Sequence, residues 1–312
     1  MIYITQGDSN SIGLEIFFKS LLLLGKKNIQ SLKLVASEKE IVKNLKALKL
    51  KFKLGKDFLE ILDSLKINVS VLKDSENTAF DSLKLAIDQM TDKDILFTLP
   101  MSKNNFYENN GNTYRGHTDY FRKSFPKCIP LMFFVRENEK ICLLTDHIPL
   151  KEVSEKIDNS FFQQKVSQIL HLATKNPILD VNQILIAGLN PHAGEAGILG
   201  REELNFEDEI ESIQEKFPNI RLSWPLPADT IHNEVKSLKN TLVVYSYHDQ
   251  GLPAFKSRNQ LLGINLTLGL PFIRLSVDHG TAPSLYLKGI ANPMGCVYAL
   301  RQAIKYERLM NE

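Results

Sequence analysis

At 312 residues the chain exceeds the usual size of one domain, and 43% hydrophobic with 24% charged residues excludes a disordered or fibrous protein. A formal charge of +2 argues against nucleic acid or a membrane surface as the main partner. The three widely spaced cysteines, Cys128, Cys142 and Cys296, exclude a disulfide framework, and the opening MIYITQGDSNS has no leader pattern, so a reduced cytoplasmic protein without a membrane span is predicted.

Ile2 to Thr5 reads as a strand running through a polar turn, Gly7 to Gly13, into a helix from Leu14 to Leu24. The turn lacks the GxGxxG spacing of a dinucleotide-binding loop, so its pattern favours a plain connection over an anion site. Leu32 to Ala36 is a second strand and Glu38 to Leu50 a polar helix; the lysine run from Lys43 to Lys56 reads as a solvated helix face. Ile67 to Leu72 and Ile95 to Leu99 are further strands, with a helix from Asn77 to Met90 between them. Strands alternating with helices predict a parallel sheet covered on both faces.

Asn104 to Gly116 has no period and reads as a long loop, of the kind that carries function, leading to a helix near Thr118. Pro130 to Arg136 and Lys140 to Thr145 are paired strands, and Lys151 to Asn176 one long amphipathic helix. Gln183 to Leu189 is a buried strand, Glu202 to Phe217 a helix, Ile220 to Ser223 a strand, and Pro225 to Asp229 a rigid turn into a helix at Thr230. Thr241 to Tyr245 is another buried strand. After Gly280, helices from Thr281 to Lys288 and Met294 to Leu309 close the chain.

His147, His192 and His248 each stand just past the end of a predicted strand. Parallel strands bring their carboxyl ends to one edge, so the three imidazoles can converge although they are far apart in sequence. Three neutral nitrogen ligands and an open position suit a catalytic divalent ion. Each also neighbours an acid, Asp146, Glu195 or Asp249, that can orient it; the competing reading is three hydrogen-bonded loop histidines. From Tyr247 to Ala282 the chain mixes Lys256, Arg258, Arg274, Asn265 and His279 with glycines and apolar residues, as a pocket lining does. Solvated surface is the alternative for Lys256, Asn265 and Arg274, and a simple helix start for His117 with Thr118. His171 and His232 read as structural or exposed, and Cys142 as buried and inert.

GHTD at Gly116, TDHIPL at Thr145, NPHAGE at Asn190, PLPADT at Pro225, YHDQGLPAFK at Tyr247 and NLTLGLPFIRLSVDHGTA at Asn265 run in one order across about half the chain. Together they resemble the 4-hydroxythreonine-4-phosphate dehydrogenase family of pyridoxal phosphate biosynthesis. The resemblance implies a two-domain α/β/α subunit of the isocitrate and isopropylmalate dehydrogenase type, with residues 1–127 plus 282–312 in the first domain and 128–281 in the second, which would carry the metal ligands and dimer contacts. It implies a homodimer whose active sites lie in the interdomain cleft with contributions from both subunits.

Carried over by position, His147, His192 and His248 match metal ligands (zinc, magnesium, cobalt or manganese), and His117, Thr118, Lys256, Asn265 and Arg274 match substrate-binding residues. The implied reaction is NAD-dependent oxidation of the C3 hydroxyl of 4-phosphohydroxy-L-threonine, with NADP as a possible substitute, followed by decarboxylation to 3-amino-2-oxopropyl phosphate. Asp249 and Asp229 are the candidates for the base, and no residue is assigned to the cofactor. The family's opening GDPAGIGPE reads GDSNSIGLE here, and Trp224 stands where family members usually carry Gly. The alternatives are a relative acting on another phosphorylated four-carbon hydroxy acid, such as a threonate phosphate, and a catalytically silent small-molecule binding protein. An RNA-associated protein is opposed by the near-neutral charge and the lack of an RNA-binding motif.

Overall fold

The computed structural model describes residues 1–108, 111–234, 239–260 and 262–311. In chain order its strands are β1 (Ile2–Thr5), β2 (Leu32–Ser37), β3 (Phe52–Leu54), β4 (Phe58–Ile61), β5 (Leu65–Leu72), β6 (Ile95–Thr98), β7 (Leu131–Arg136), β8 (Glu139–Leu143), β9 (Gln183–Ala187), β10 (Arg221–Leu226), β11 (Thr241–Tyr245), β12 (Ile264–Leu268) and β13 (Ile273–Val277). The helices are α1 (Gly13–Leu24), α2 (Glu38–Ala47), α3 (Thr78–Gln89), α4 (His117–Ser124), α5 (Val153–Lys156), α6 (Asn159–Lys175), α7 (Glu207–Lys216), α8 (His248–Asn259) and α9 (Met294–Asn311). The chain divides into two compact units, Met1–Pro130 with Leu261–Glu312, and Leu131–Gln260.

In the first unit the strands run in the order β12-β13-β6-β1-β2-β5-β4-β3. The central pairs, from β13–β6 through β2–β5, are parallel, and the outer ones antiparallel. β1 and β6 are buried along their whole length, which is why both read as unbroken apolar runs. Side-chain caps start two of the helices: Ser37 accepts a bond from the Glu40 amide at 3.3 Å and Asn77 one from Phe80 at 3.4 Å. Phe80, Phe106, Tyr120, Phe121 and Phe272 pack with Val35, Leu83 and Leu96 into one aromatic-rich core. Burying each such ring is worth about 1.5–3 kcal/mol, and the edge-on pairing of Phe80 with Tyr120, 5.0 Å apart, adds to it.

The second unit orders its strands β10-β9-β11-β8-β7, parallel except for the β7–β8 hairpin. Glu137, at φ +43, makes the turn of that hairpin. Tyr245, Phe255, Phe134, Ile141, Leu143 and Val243 form this unit's core.

Several expectations meet a different local structure. The polar helix ends at Ala47, and part of the lysine run is β3, paired to β4; Phe52 and Leu54 alternate with Lys53, a period of two that the lysines obscured. The long helix from Lys151 breaks near Ile157, because the Asp158 carboxylate accepts the Phe161 amide at 2.7 Å and starts α6 afresh. Pro225 lies inside β10 rather than opening a turn, which an edge strand tolerates because one row of its backbone groups faces no partner. A short 3-10 turn, Ile231–Glu234, stands where a helix was expected, and 235–238 lie outside the described residues. Residues 109 and 110 of the expected loop likewise lie outside them. Only Pro283–Leu285 of the expected helix from Thr281 is helical. The expected domain boundary at 281/282 differs from the return at 261, since β13 pairs in parallel with β6. No described helix is long and apolar enough to cross a membrane.

Candidate active site

Four neighbouring parallel strands of the second unit end at one edge, and each delivers a polar group. In spatial order, β10 leads to Asp229, β9 to His192, β11 to His248 and Asp249, and β8 to His147. Tyr245 pairs with Leu143, and Val244 with Ile186, so the ends are level. Polar loops beyond the carboxyl ends of parallel strands are where such sheets bind ligands.

His147 and His248 lie together, with ring centroids 5.9 Å apart. They line a cavity of about 280 Å³ with Thr145, Ile148, Leu150, Val153, Tyr247 and Asp249. His147 holds a left-handed backbone at φ +53, and His248 is the first residue of α8. The Asp249 carboxylate is 2.5 Å from Nδ1 of His248. A carboxylate only accepts, so Nδ1 carries the proton and Nε2 keeps its lone pair for a ligand. Glu195, the acid beside His192, makes no such bond to it.

His192 is exposed and begins a run of six residues with positive φ, through Ala193, Gly194, Glu195, Ala196 and Gly197. Left-handed backbone costs roughly 1–2 kcal/mol for each residue other than glycine, so this loop is strained. Among the described residues, no three His, Cys, Asp or Glu side chains are gathered closely enough to hold a metal ion. The donor chemistry fits a divalent ion: two adjacent imidazoles, one with its tautomer set by a carboxylate, and a third on the next strand end. Lys256 is exposed two turns along α8 from His248. Asp229 is exposed, three residues past the end of β10.

The first unit gathers a second set. His117 and Thr118 open α4, after Gly116 at φ +141. The His117 ring meets Phe106 edge-on, with centroids 4.6 Å apart. Burial, and then the Arg274 guanidinium, hold its pKa well below that of a free imidazole, so it is neutral at pH 7. Arg274, on β13, is only 5% exposed. Its Nε and Nη2 donate to Thr98 Oγ1 at 3.1 and 2.8 Å, Nη1 donates to Thr267 Oγ1 at 3.4 Å, and its carbon centre lies 6.0 Å from the Phe121 ring centroid.

Burial alone lowers the pKa of Arg274 to about 10, leaving it fully charged at neutral pH. Among the described residues this buried cation is bonded to hydroxyls and to no carboxylate, so its charge is not neutralised by a side chain. Asn265 precedes Thr267 by two positions on β12, so both side chains leave the same face of the strand. Of the eight residues singled out in the sequence, His117, Thr118, Asn265 and Arg274 thus belong to the first unit, and Lys256 and the three histidines to the second.

The altered turn after β1 is closed by its own side chains. Ser11 Oγ donates to Asp8 O at 2.8 Å and accepts the Gly13 amide at 3.2 Å, while the amides of Asp8 and Ile12 bond Pro100 O and Thr281 O. The amides of Asp8, Ile12 and Gly13 are thus engaged within the protein. Asp8, which the sequence reading passed over, accepts the Ser102 amide at 2.8 Å and the Asn105 side chain at 2.5 Å. Glu203 was missed as well: it lies in a helical turn as expected, Glu202–Phe206, but as a buried carboxylate bonded to the His192 loop.

Comparison with known proteins gives the chain's family. The family model for "Pyridoxal phosphate biosynthetic protein PdxA" matches residues 16–303. A 4-hydroxythreonine-4-phosphate dehydrogenase of Sulfurihydrogenibium sp. is 34% identical over 321 residues, 98% of each chain. That of Chromobacterium violaceum is 40% identical over 195 residues, so the match spans 62% of this chain and 58% of that relative. The crystal structure of the Burkholderia phymatum enzyme superposes with a TM-score of 0.77 at 26% identity, covering 98% of this chain and 97% of that one. With an α/β fold of that kind and a family match over most of its length, the chain belongs to the PdxA family.

Proposed function

We propose that the protein oxidises 4-phosphohydroxy-L-threonine at its C3 hydroxyl with NAD and releases carbon dioxide from the resulting β-keto acid, giving 3-amino-2-oxopropyl phosphate for pyridoxal 5'-phosphate synthesis. The observation that carries the reading is the delivery of His147, His192 and His248 to one edge by three adjacent parallel strands. The relatives' names supply the substrate.

His147, His192 and His248 would hold a divalent ion of the zinc, magnesium, cobalt or manganese class. Bound there, it would supply Lewis acidity to the hydroxyl under oxidation and to the ketone that follows, and NAD would supply the hydride acceptor. Everything else falls to the chain. Asp249 fixes the His248 tautomer, and this engagement leaves Asp229 the freer of the two base candidates to take the hydroxyl proton. Arg274 and Lys256 meet the substrate's phosphate and carboxylate as cations. Neutral His117, Thr118 and Asn265 add hydrogen bonds and no charge, so recognition of the two anions rests on the two cations.

A homodimer belongs to the same proposal. Leu150, Ile198, Leu199, Leu204 and Trp224 are large apolar side chains 47–78% exposed, all in the second unit, where dimer contacts were expected.

The test is NADH formation at 340 nm with metal-supplied protein, 4-phosphohydroxy-L-threonine and phosphorylated threonates being run side by side. Turnover of the first, abolished in His192→Ala, supports the proposal. Preference for a threonate phosphate keeps the chemistry and replaces the substrate. Inactivity on all of them overturns it in favour of a silent binder.

A further inference from the structure

The loop that carries His192 is fastened by a carboxylate to which neither the reaction nor the family comparison gives a part. Glu203 is 7% exposed. Its Oε1 accepts the backbone amide of Asn190 at 2.6 Å, and its Oε2 accepts the Asn190 side-chain amide at 3.0 Å. That side chain also donates to Glu202 Oε2 at 2.7 Å. No lysine or arginine is paired with Glu203 among the described residues, so its negative charge is met by these N–H dipoles.

The loop is wrapped closely around this contact. A Cβ on Gly188 would stand 2.7 Å from the Ala193 Cα and 3.3 Å from Glu203 Oε1. One on Gly194 would stand 2.8 Å from Glu203 Oε2, and one on Gly200 would stand 2.2 Å from the Asn190 amide nitrogen. Three glycines therefore leave room for a single carboxylate–asparagine lock. Just beyond it the backbone turns to positive φ at His192 and stays so through Gly197. Such a run persists only where its surroundings over-determine it, and the lock at Asn190 sits two residues before its start.

We propose that Glu203 is a positioning residue for the metal site: through Asn190 it sets the direction in which His192 leaves β9, and so the completeness of the three-imidazole set. This rests on the reading of His147, His192 and His248 as ligands. Glu203 touches neither ion nor substrate. Its effect is on the geometry and affinity of the third ligand, whereas His147 and His248 keep theirs from β8 and α8.

Cobalt(II) titration of the metal-free protein tests it, read by ligand-field absorption and by competition with a chelator, beside the thermal midpoint without metal. Glu203→Gln keeps the shape and one acceptor, but sets a donor against the Asn190 amide. It is expected to weaken cobalt binding about tenfold or more and to alter the absorption bands, with the metal-free midpoint little changed. Asn190→Ala is expected to do the same, and the double variant to add little. Cobalt affinity and bands equal to wild type in Glu203→Gln would overturn the inference. Failure of the underlying reading looks different: the wild type then takes up no cobalt, or His248→Ala takes it up unchanged.

Discussion

Replacing Arg274 by methionine separates function from folding. The side chain is 5% exposed, and burial lowers its pKa from 12.5 to about 10. At 1.36 kcal/mol per pH unit, that fall costs the folded state about 3 kcal/mol. The sign follows from proton linkage: a cation with a depressed pKa in the folded state destabilises it at every pH below about 10, and the penalty fades only above that. Methionine removes the penalty and with it the bonds to Thr98 and Thr267 and the contact with Phe121. Two of those bonds share the one Thr98 oxygen and the third is long at 3.4 Å, so together they are worth about 3 kcal/mol, net of water. The terms nearly cancel, and stability by urea unfolding should stay within about 2 kcal/mol of wild type.

Activity should not survive so well. Losing a charge-assisted contact to a substrate anion costs about 1.5–3 kcal/mol, hence kcat/KM for 4-phosphohydroxy-L-threonine should drop roughly 10- to 150-fold, measured as NADH formation. A variant with wild-type kcat/KM, or one that loses over about 4 kcal/mol of stability, would show that the arginine is there for the fold.

Other changes test other parts of the site. Asp249→Ala should lower metal affinity about 10- to 100-fold in a chelator competition, because His248 loses the partner that sets its tautomer; unchanged affinity would remove Asp249 from that role. Asp8→Ala should cost about 1–3 kcal/mol in urea unfolding, since the Ser102 amide and Asn105 lose their acceptor. His117 and His232 both have depressed pKa values, from burial first and then from Arg274 and Arg258 respectively. The unfolded chain therefore takes up their protons first, and stability should decline as pH falls below about 6.5, less steeply in His117→Gln; urea midpoints that stay flat from pH 7.5 to 5 would contradict this. Ile198→Asp, at a side chain 78% exposed, should shift a dimer toward monomer in sedimentation, and an unchanged mass would place the interface elsewhere.

The histidines were legible because a strand end is a local signal: an apolar run that stops at TDH, NPH or YHD fixes both the element and the edge. Parallel pairing then did the rest, as β8, β11 and β9 lie side by side. What escaped was non-local. Ile273–Val277 reads as an apolar run interrupted by Arg274, and nothing in it reveals that Thr98 and Thr267 receive the guanidinium. Glu203 sits in a GREEL stretch that looks like the start of a helix, and its partner is 13 residues away across a glycine-rich turn. The spacing of Gly188, Gly194 and Gly200 around Asn190 was the available clue, since closely set glycines mark places where backbone must approach other atoms. Pro225 misled for the opposite reason: its local preference for turns yields to an edge strand, where a missing N–H costs nothing.

The central claim is oxidation coupled to loss of the carboxylate, and the most direct test counts both products. Purified protein with metal and NAD is given 4-phosphohydroxy-L-threonine labelled in its carboxyl carbon, and NADH and labelled carbon dioxide are measured together. The account predicts one carbon dioxide for each NADH, with both lost in His192→Ala. NADH without carbon dioxide, or neither product from metal-loaded protein, would contradict it.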